Sequence, residues 1–310
     1  MISFERVGSS GLYLPELTYG TALTLGTENS KSSFAGKMIS TCWAAGIRSF
    51  DTSNNYGEGS AEELLGKVLQ TYPREQYVLS TKGSWPIGTG PYDKGLNKKH
   101  LRHALENSLS RLKVDYIDIY YAHRFDPNVE LEEIIRTFNL FIDQQKILYW
   151  ATSEWPAEKI DQCIKLCAKL NLEPPICDQH ILSYAVDKNL ENDVSKICNK
   201  YTLGRLAYSP LCQGYLTGKY QAGIPNKSRI SKANKINYSK TENFYKQFKC
   251  RIDHFNAMCN EFQIDNTAAA LQWVRRAGAH IVIGASNIEQ IEKNVSALDK
   301  KIPNEFWAKI

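Results

Sequence analysis

The chain has 310 residues, is 43% hydrophobic and 23% charged, and carries a net charge of +5 from 38 basic and 33 acidic residues. That composition excludes a disordered chain and leaves room for a large core. The modest positive charge is spread along the sequence without a like-charged block, which argues against a nucleic-acid arm and suits a small anionic ligand. The eight cysteines form no Cys-x-x-Cys pair and no secretory leader opens the chain, so reduced thiols in a cytoplasmic protein are expected. With no apolar run near ~18 residues, no membrane insertion is expected either.

Taken in order, residues 4–17, with Gly8, Gly11 and Pro15, read as a short hairpin. Residues 17–23 read as a strand and 33–45 as its helix, stopped by Gly46. The next stretch organises the rest: a short strand over 47–50 ends on Asp51, a polar loop carries Tyr56 and Gly57, and Ser60 with Glu63 predicts a capping box before Leu64, Leu65, Val68 and Leu69. An aspartate and a phenol are thereby brought close. A nearby ammonium would favour phenolate, which makes the tyrosine a better proton donor, so the loop calls for a lysine.

Lys82 ends the next strand, 77–83, and His123 ends the one after, 116–123. Asp51, Lys82 and His123 therefore occupy the carboxyl ends of successive strands, where barrel enzymes keep their chemistry. Between the last two strands, Leu101, Leu105, Leu109 and Leu112 mark one face of a helix. Further helices are predicted over 130–143, 157–170, 190–200 and 288–298, with strands over 147–153, 176–180, 205–209 and 281–284. Such alternation predicts a parallel sheet. No Gly-x-Gly-x-x-Gly follows an early strand, which weighs against a doubly wound dinucleotide fold. The Lys, Asn and Ser content of 218–246 reads as a long surface loop after the seventh strand.

Phe50-Asp51-Thr52 with Tyr56-Gly57, Ser80-Thr81-Lys82-Gly83 and His123-Arg124 together resemble the aldo-keto reductases. The resemblance runs from about Phe4 to Leu298. It implies a single (β/α)8 TIM-barrel domain over residues 1–310, with an N-terminal β-hairpin. It also implies an NADP-dependent oxidoreductase that reduces carbonyls, with Tyr56, Asp51, Lys82 and His123 as its catalytic tetrad. Tyr56 would give the proton, Lys82 would ease its loss, Asp51 would anchor Lys82, and His123 would orient the carbonyl oxygen.

Position by position, the resemblance places Tyr208 on the nicotinamide, Ser153 and Gln179 on its carboxamide and Thr21 on the ribose side, with Asp51 also among the cofactor contacts. Ser209, Leu211 and Gly214 would follow the pyrophosphate. Lys219 and Arg229 would grip the 2′-phosphate and favour NADPH. Gly284, Ser286, Gln290 and Asn294 would complete the adenosine end. The family usually has a glutamate before that asparagine; here it is Lys293, a donor only. Trp85, Phe125 and Trp155 would line an aromatic substrate pocket suited to sugars or aryl aldehydes.

Tyr149-Trp150-Ala151-Thr152-Ser153, 174–179, Ser209-Pro210-Leu211 and Gly218-Lys219-Tyr220 resemble the beta subunits of voltage-gated potassium channels and their bacterial reductase relatives. Those subunits often carry asparagine in place of His123 and tryptophan in place of Tyr208, so the intact tetrad favours an enzyme. Two rival functions stay open: an NADP-sensing or channel-associated subunit, and a biosynthetic sugar oxidoreductase working towards oxidation. The family supports monomers and tetramers, so a homo-oligomer is open as well.

Trp150, inside its strand, is expected in the core rather than the pocket, and Cys163 and Cys167 are expected to be buried helix thiols. No Cys or carboxylate joins His100 and His103 to complete a metal site.

Overall fold

The computed structural model describes the backbone of residues 2–26, 32–186, 188–223, 228 and 235–310, with side chains for all of these except 188–192 and 235–244. Strands β1 (Phe4–Arg6) and β2 (Tyr13–Pro15) form an antiparallel hairpin. Eight parallel strands then close a barrel: β3 (Leu17–Gly20), β4 (Ser49–Asp51), β5 (Val78–Gly83), β6 (Ile117–Ala122), β7 (Ile147–Ser153), β8 (Cys177–Ile181), β9 (Gly204–Tyr208) and β10 (His280–Ile283). Neighbours in the ring follow chain order, and β10 closes it against β3. The expected (β/α)8 TIM barrel and its N-terminal hairpin are both present.

The helices between strands are α1 (Ser32–Ala44), α2 (Ser60–Leu69), α3 (Lys98–Leu112), α4 (Leu131–Asp143), α5 (Ala157–Leu170) and α6 (Lys188–Tyr201). After β9 come α7 (Lys235–Glu261) and α8 (Asn266–Arg276), and after β10 come α9 (Ile288–Ala297) and α10 (Asn304–Lys309). Two of these correct the sequence reading. The 218–246 segment is not all loop, because α7 begins at Lys235 and runs on to Glu261. The other, α8, went unread. Its start was nevertheless marked by Asp265, whose side chain accepts from the Ala268 amide at 2.9 Å.

Period-two alternation divides each strand into an inner and an outer face. Ile119, Tyr121, Ala151, Cys177, Leu206 and Val282 fill the interior together with Val7 and Leu14 from the hairpin, which plugs the amino end of the strands. The outer faces pack on the helices: Trp150 is buried, stacks on Phe138 with centroids 4.9 Å apart, and donates its indole N–H to Glu173 O. Trp150, Cys163 and Cys167 are thus core, as read.

The outer face also bears on the site. Thr81, one residue before Lys82, points outwards and donates to Glu62 Oε1 on α2 at 2.5 Å, while Arg111 on α3 donates to Glu62 Oε2 at 2.7 Å. The Glu62 side chain is fully buried. One carboxylate therefore ties strand β5 to two helices. Replacing it leaves a hydroxyl and a guanidinium N–H without their acceptor, so Glu62→Ala should lower unfolding free energy by about 3 kcal/mol in urea titrations. A loss below ~1 kcal/mol would mean the tie does not hold the strand.

Candidate active site

Asp51, Lys82 and His123 meet at the carboxyl end of the barrel because their strands are adjacent and in register, Asp51 beside Ser80 and Lys82 beside Tyr121. The Lys82 ammonium is fully buried and donates to Asp51 Oδ2 at 2.5 Å and to Thr52 O at 2.7 Å. The other oxygen, Asp51 Oδ1, accepts from Ser80 Oγ at 2.8 Å and Gln179 Nε2 at 3.1 Å. Every strong partner the pair needs is thus supplied by strand ends, which is the condition for keeping two charges out of water.

Tyr56 opens a short 3-10 turn, Tyr56–Gly59, and its ring lies 5.2 Å from Lys82 Nζ and 6.2 Å from the His123 ring. The turn depends on its glycines. Gly57 has φ +55, and a Cβ there would lie 2.1 Å from Gly26 O. Gly59, at φ +96, is also the residue that caps α2. This corrects the predicted capping box: Ser60 already lies inside the helix, and its hydroxyl donates backwards to Gly57 O and Gly26 O. The left-handed glycine turns the chain too sharply for Ser60 to reach forward.

Burial raises the Tyr56 pKa, and the nearby Lys82 charge only partly opposes it. Burial works against the Lys82 ammonium, yet Asp51 and the Tyr56 phenol together hold its pKa above the ordinary value. Both groups therefore keep their protons at rest. This refines the sequence reading, in which the lysine alone set the phenol; desolvation is the larger effect. Burial, with the Lys82 and Arg124 charges, drives His123 the other way, down to about 2, so its imidazole is neutral.

Ser53 was not read from the sequence as a site residue. Its hydroxyl lies 3.1 Å from His123 Nδ1 and 2.7 Å from Asn55 Oδ1, so it sets which imidazole nitrogen faces the centre. Its position two residues after Asp51 was the available signal. Arg124, following His123, donates through Nη1 to His123 O at 2.5 Å and towards Ser153 Oγ at 3.3 Å.

The expected cofactor residues follow the same rim. Ser153 and Gln179 are buried neighbours in the β7–β8 register. Thr21 is buried and donates to Thr52 Oγ1. Tyr208 is half-buried at the end of β9, and Ser209, also half-buried, follows with φ +55. Leu211 leads into the 3-10 turn Cys212–Thr217, where Gly214 has φ +97 and a Cβ would lie 2.9 Å from the Lys219 side chain. Gly284 and Ser286 are exposed beyond β10, Gln290 Oε1 accepts from Ser286 N at 2.8 Å, and Asn294 is buried. Arg229 lies outside the described residues. The Lys293 ammonium is 3.5 Å from Asp265 Oδ2.

A rim of amide, hydroxyl and aromatic groups with a glycine where the backbone must be approached closely fits a dinucleotide cofactor. Of the expected pocket residues, Trp85 is 41% exposed and sits edge-on to His123, with centroids 6.1 Å apart. Phe125 is half-buried against Trp155. Trp155 itself is buried and donates its indole N–H to Ala122 O, so it backs Phe125 rather than facing outwards.

No helix among the described residues is long and apolar enough to cross a membrane. Comparison with known proteins agrees with this geometry. The sequence profile of the aldo/keto reductase family matches residues 16–310. A Schizosaccharomyces pombe protein, named as a candidate voltage-gated potassium channel subunit beta, is 33% identical over all of this chain and 92% of its own length. Similarly named candidates from Oryza sativa subsp. japonica and Arabidopsis thaliana are 32% and 30% identical, each over 96% of this chain and 92% of its own length. The barrel, the strand-end cluster and a family match over nearly the whole chain lead to one assignment: this chain belongs to the aldo/keto reductase family.

Proposed function

We propose that this protein reduces an aldehyde or ketone with NADPH, taking the proton from Tyr56. The observation that carries the reading is a phenol and a neutral imidazole held together over a buried ammonium already paired with a carboxylate. NADPH, when bound, supplies a hydride from C4 of its nicotinamide. The chain's own residues do the remainder. Tyr56 donates its proton to the carbonyl oxygen as negative charge develops there, and the Lys82 charge beside it steadies the phenolate left behind. Asp51 fixes Lys82, and Ser53 fixes the ring that His123 presents to the same oxygen. Ser153, Gln179 and Tyr208 would hold the nicotinamide end, and Gly284, Ser286, Gln290 and Asn294 the adenosine end.

For the 2′-phosphate we assign Lys219 and Arg229. Hydrogen bonds to a charged group are worth roughly 1.5–3 kcal/mol each, enough to favour NADPH over NADH by about a hundredfold. The names of the relatives support a second reading, an NADP-binding subunit in which occupancy rather than turnover matters. Fluorescence titration with both nucleotides, followed by NADPH consumption over a carbonyl panel, separates the two. Tight NADPH binding with turnover supports the reductase, whereas binding with no turnover favours the sensor.

Tyr56→Phe should lower turnover at least ~10²-fold while NADPH still binds, since only the proton-donating hydroxyl is removed. Unchanged turnover would remove Tyr56 from the reaction. The pH profile offers an independent check. With the His123 pKa lowered to about 2, the ring stays neutral from pH 5 upwards, and with that of Tyr56 raised the phenol stays protonated through neutrality. The rate of reduction should therefore show no inflection near pH ~6.5, where an ordinary histidine titrates. A clear limb there would contradict a neutral His123.

A further inference from the structure

Arg124 stands beside the reacting centre without an acidic partner. The loop after β6 carries it directly behind His123, and its side chain is half-buried. Nη1 is engaged by His123 O and Ser153 Oγ. Among the described residues, no carboxylate forms an ion pair with the guanidinium, and no acceptor meets Nε or Nη2. Nearby acids are occupied: Asp51 by Lys82, Asp126 by the Leu96 and Asn128 amides, and Glu154 by the Ile181 amide at 2.6 Å.

The guanidinium lies 5.7 Å from the Trp85 ring, and that ring in turn stands edge-on to His123. Its charge is felt at Tyr56 and Tyr208, where it opposes the larger effect of burial, and at His123, where it adds to burial and the Lys82 charge in lowering the pKa. These are the proton donor, the ring that orients the carbonyl, and the aromatic assigned to the nicotinamide.

We propose that Arg124 is a specificity residue, selecting carbonyl substrates that carry a carboxylate apart from the reacting group. This rests on reading the site as carbonyl-reducing. A partly desolvated guanidinium is stabilised by an anion, and two free N–H edges match the two oxygens of a carboxylate. A phosphate dianion would call for a second cation, and Lys82 is committed to Asp51 and Thr52 O. Trp85 adds a flat wall beside the charge, so an aryl or conjugated aldehyde acid fits best.

The test pairs 4-carboxybenzaldehyde with methyl 4-formylbenzoate. The ester is the more electron-poor aldehyde, so a preference for the acid cannot come from carbonyl reactivity. In the unaltered protein, kcat/KM for the acid should exceed that for the ester at least tenfold. Arg124→Met should collapse that ratio, mainly through KM, and Arg124→Lys should keep part of it. A ratio of one or less in the unaltered protein, or one that survives Arg124→Met, overturns the proposal.

Should neither aldehyde consume NADPH, the carbonyl panel decides the reductase reading, and tryptophan fluorescence with NADP+ present decides the anion site alone. Tighter binding of the acid than the ester, lost in Arg124→Met, supports it; equal binding overturns it.

Discussion

The structure depends on the buried ion pair between Lys82 and Asp51. Neither side chain reaches water to any extent, with exposures of 0% and 4%, and two charges in that setting persist only when every remaining donor and acceptor is met. Thr52 O, Ser80 and Gln179, from the end of β4, β5 and β8, supply most of these partners, and the Tyr56 hydroxyl stands beside the ammonium. The pair's partners are thus gathered from separate strands of the barrel. Burial keeps the Tyr56 phenol protonated and the His123 imidazole neutral, while Asp51 and Tyr56 keep the Lys82 ammonium charged against it, so three neighbouring groups are poised to give a proton or orient an oxygen without a pH near neutrality disturbing them.

Alternation along β5 links this centre to the scaffold. Ser80 and Lys82 face inwards to Asp51, while Thr81 faces outwards to Glu62, which Arg111 holds from α3. The helix carrying Glu62 is capped by Gly59, the last residue of the turn that Tyr56 opens. A Cβ at Gly59 would lie 2.9 Å from the Arg111 side chain. The same guanidinium thus braces both the strand of the lysine and the turn of the tyrosine.

The rim around the centre carries unfavourable backbone in several places. Glu154, Ser209, Cys212 and Gln213 all have φ between 50° and 56°, and each follows or ends a strand or turn assigned to the cofactor. Non-glycine residues adopt that region at a cost that surrounding structure must impose, and such positions cluster where ligands are bound.

The sequence by itself determined the barrel and the centre to the extent that both are written in short-range pattern. Apolar runs ending in Asp51, Lys82 and His123 placed three groups on strand ends, and helix periodicity with glycine stops found most of the outer layer. Where polar composition outweighed pattern, the reading failed: the polar run before 246 hid the start of α7, and the short, alanine-rich α8 was passed over despite its Asp265 cap and its buried face. Only tertiary structure decided that Ser60 is not a cap, that Trp155 is buried behind Phe125, and that Ser53 meets His123. Each depends on contacts between residues far apart in the chain or on a left-handed glycine, and neither leaves a local period. The protonation states belong to the same class, because desolvation is a property of the closed barrel and of no segment within it.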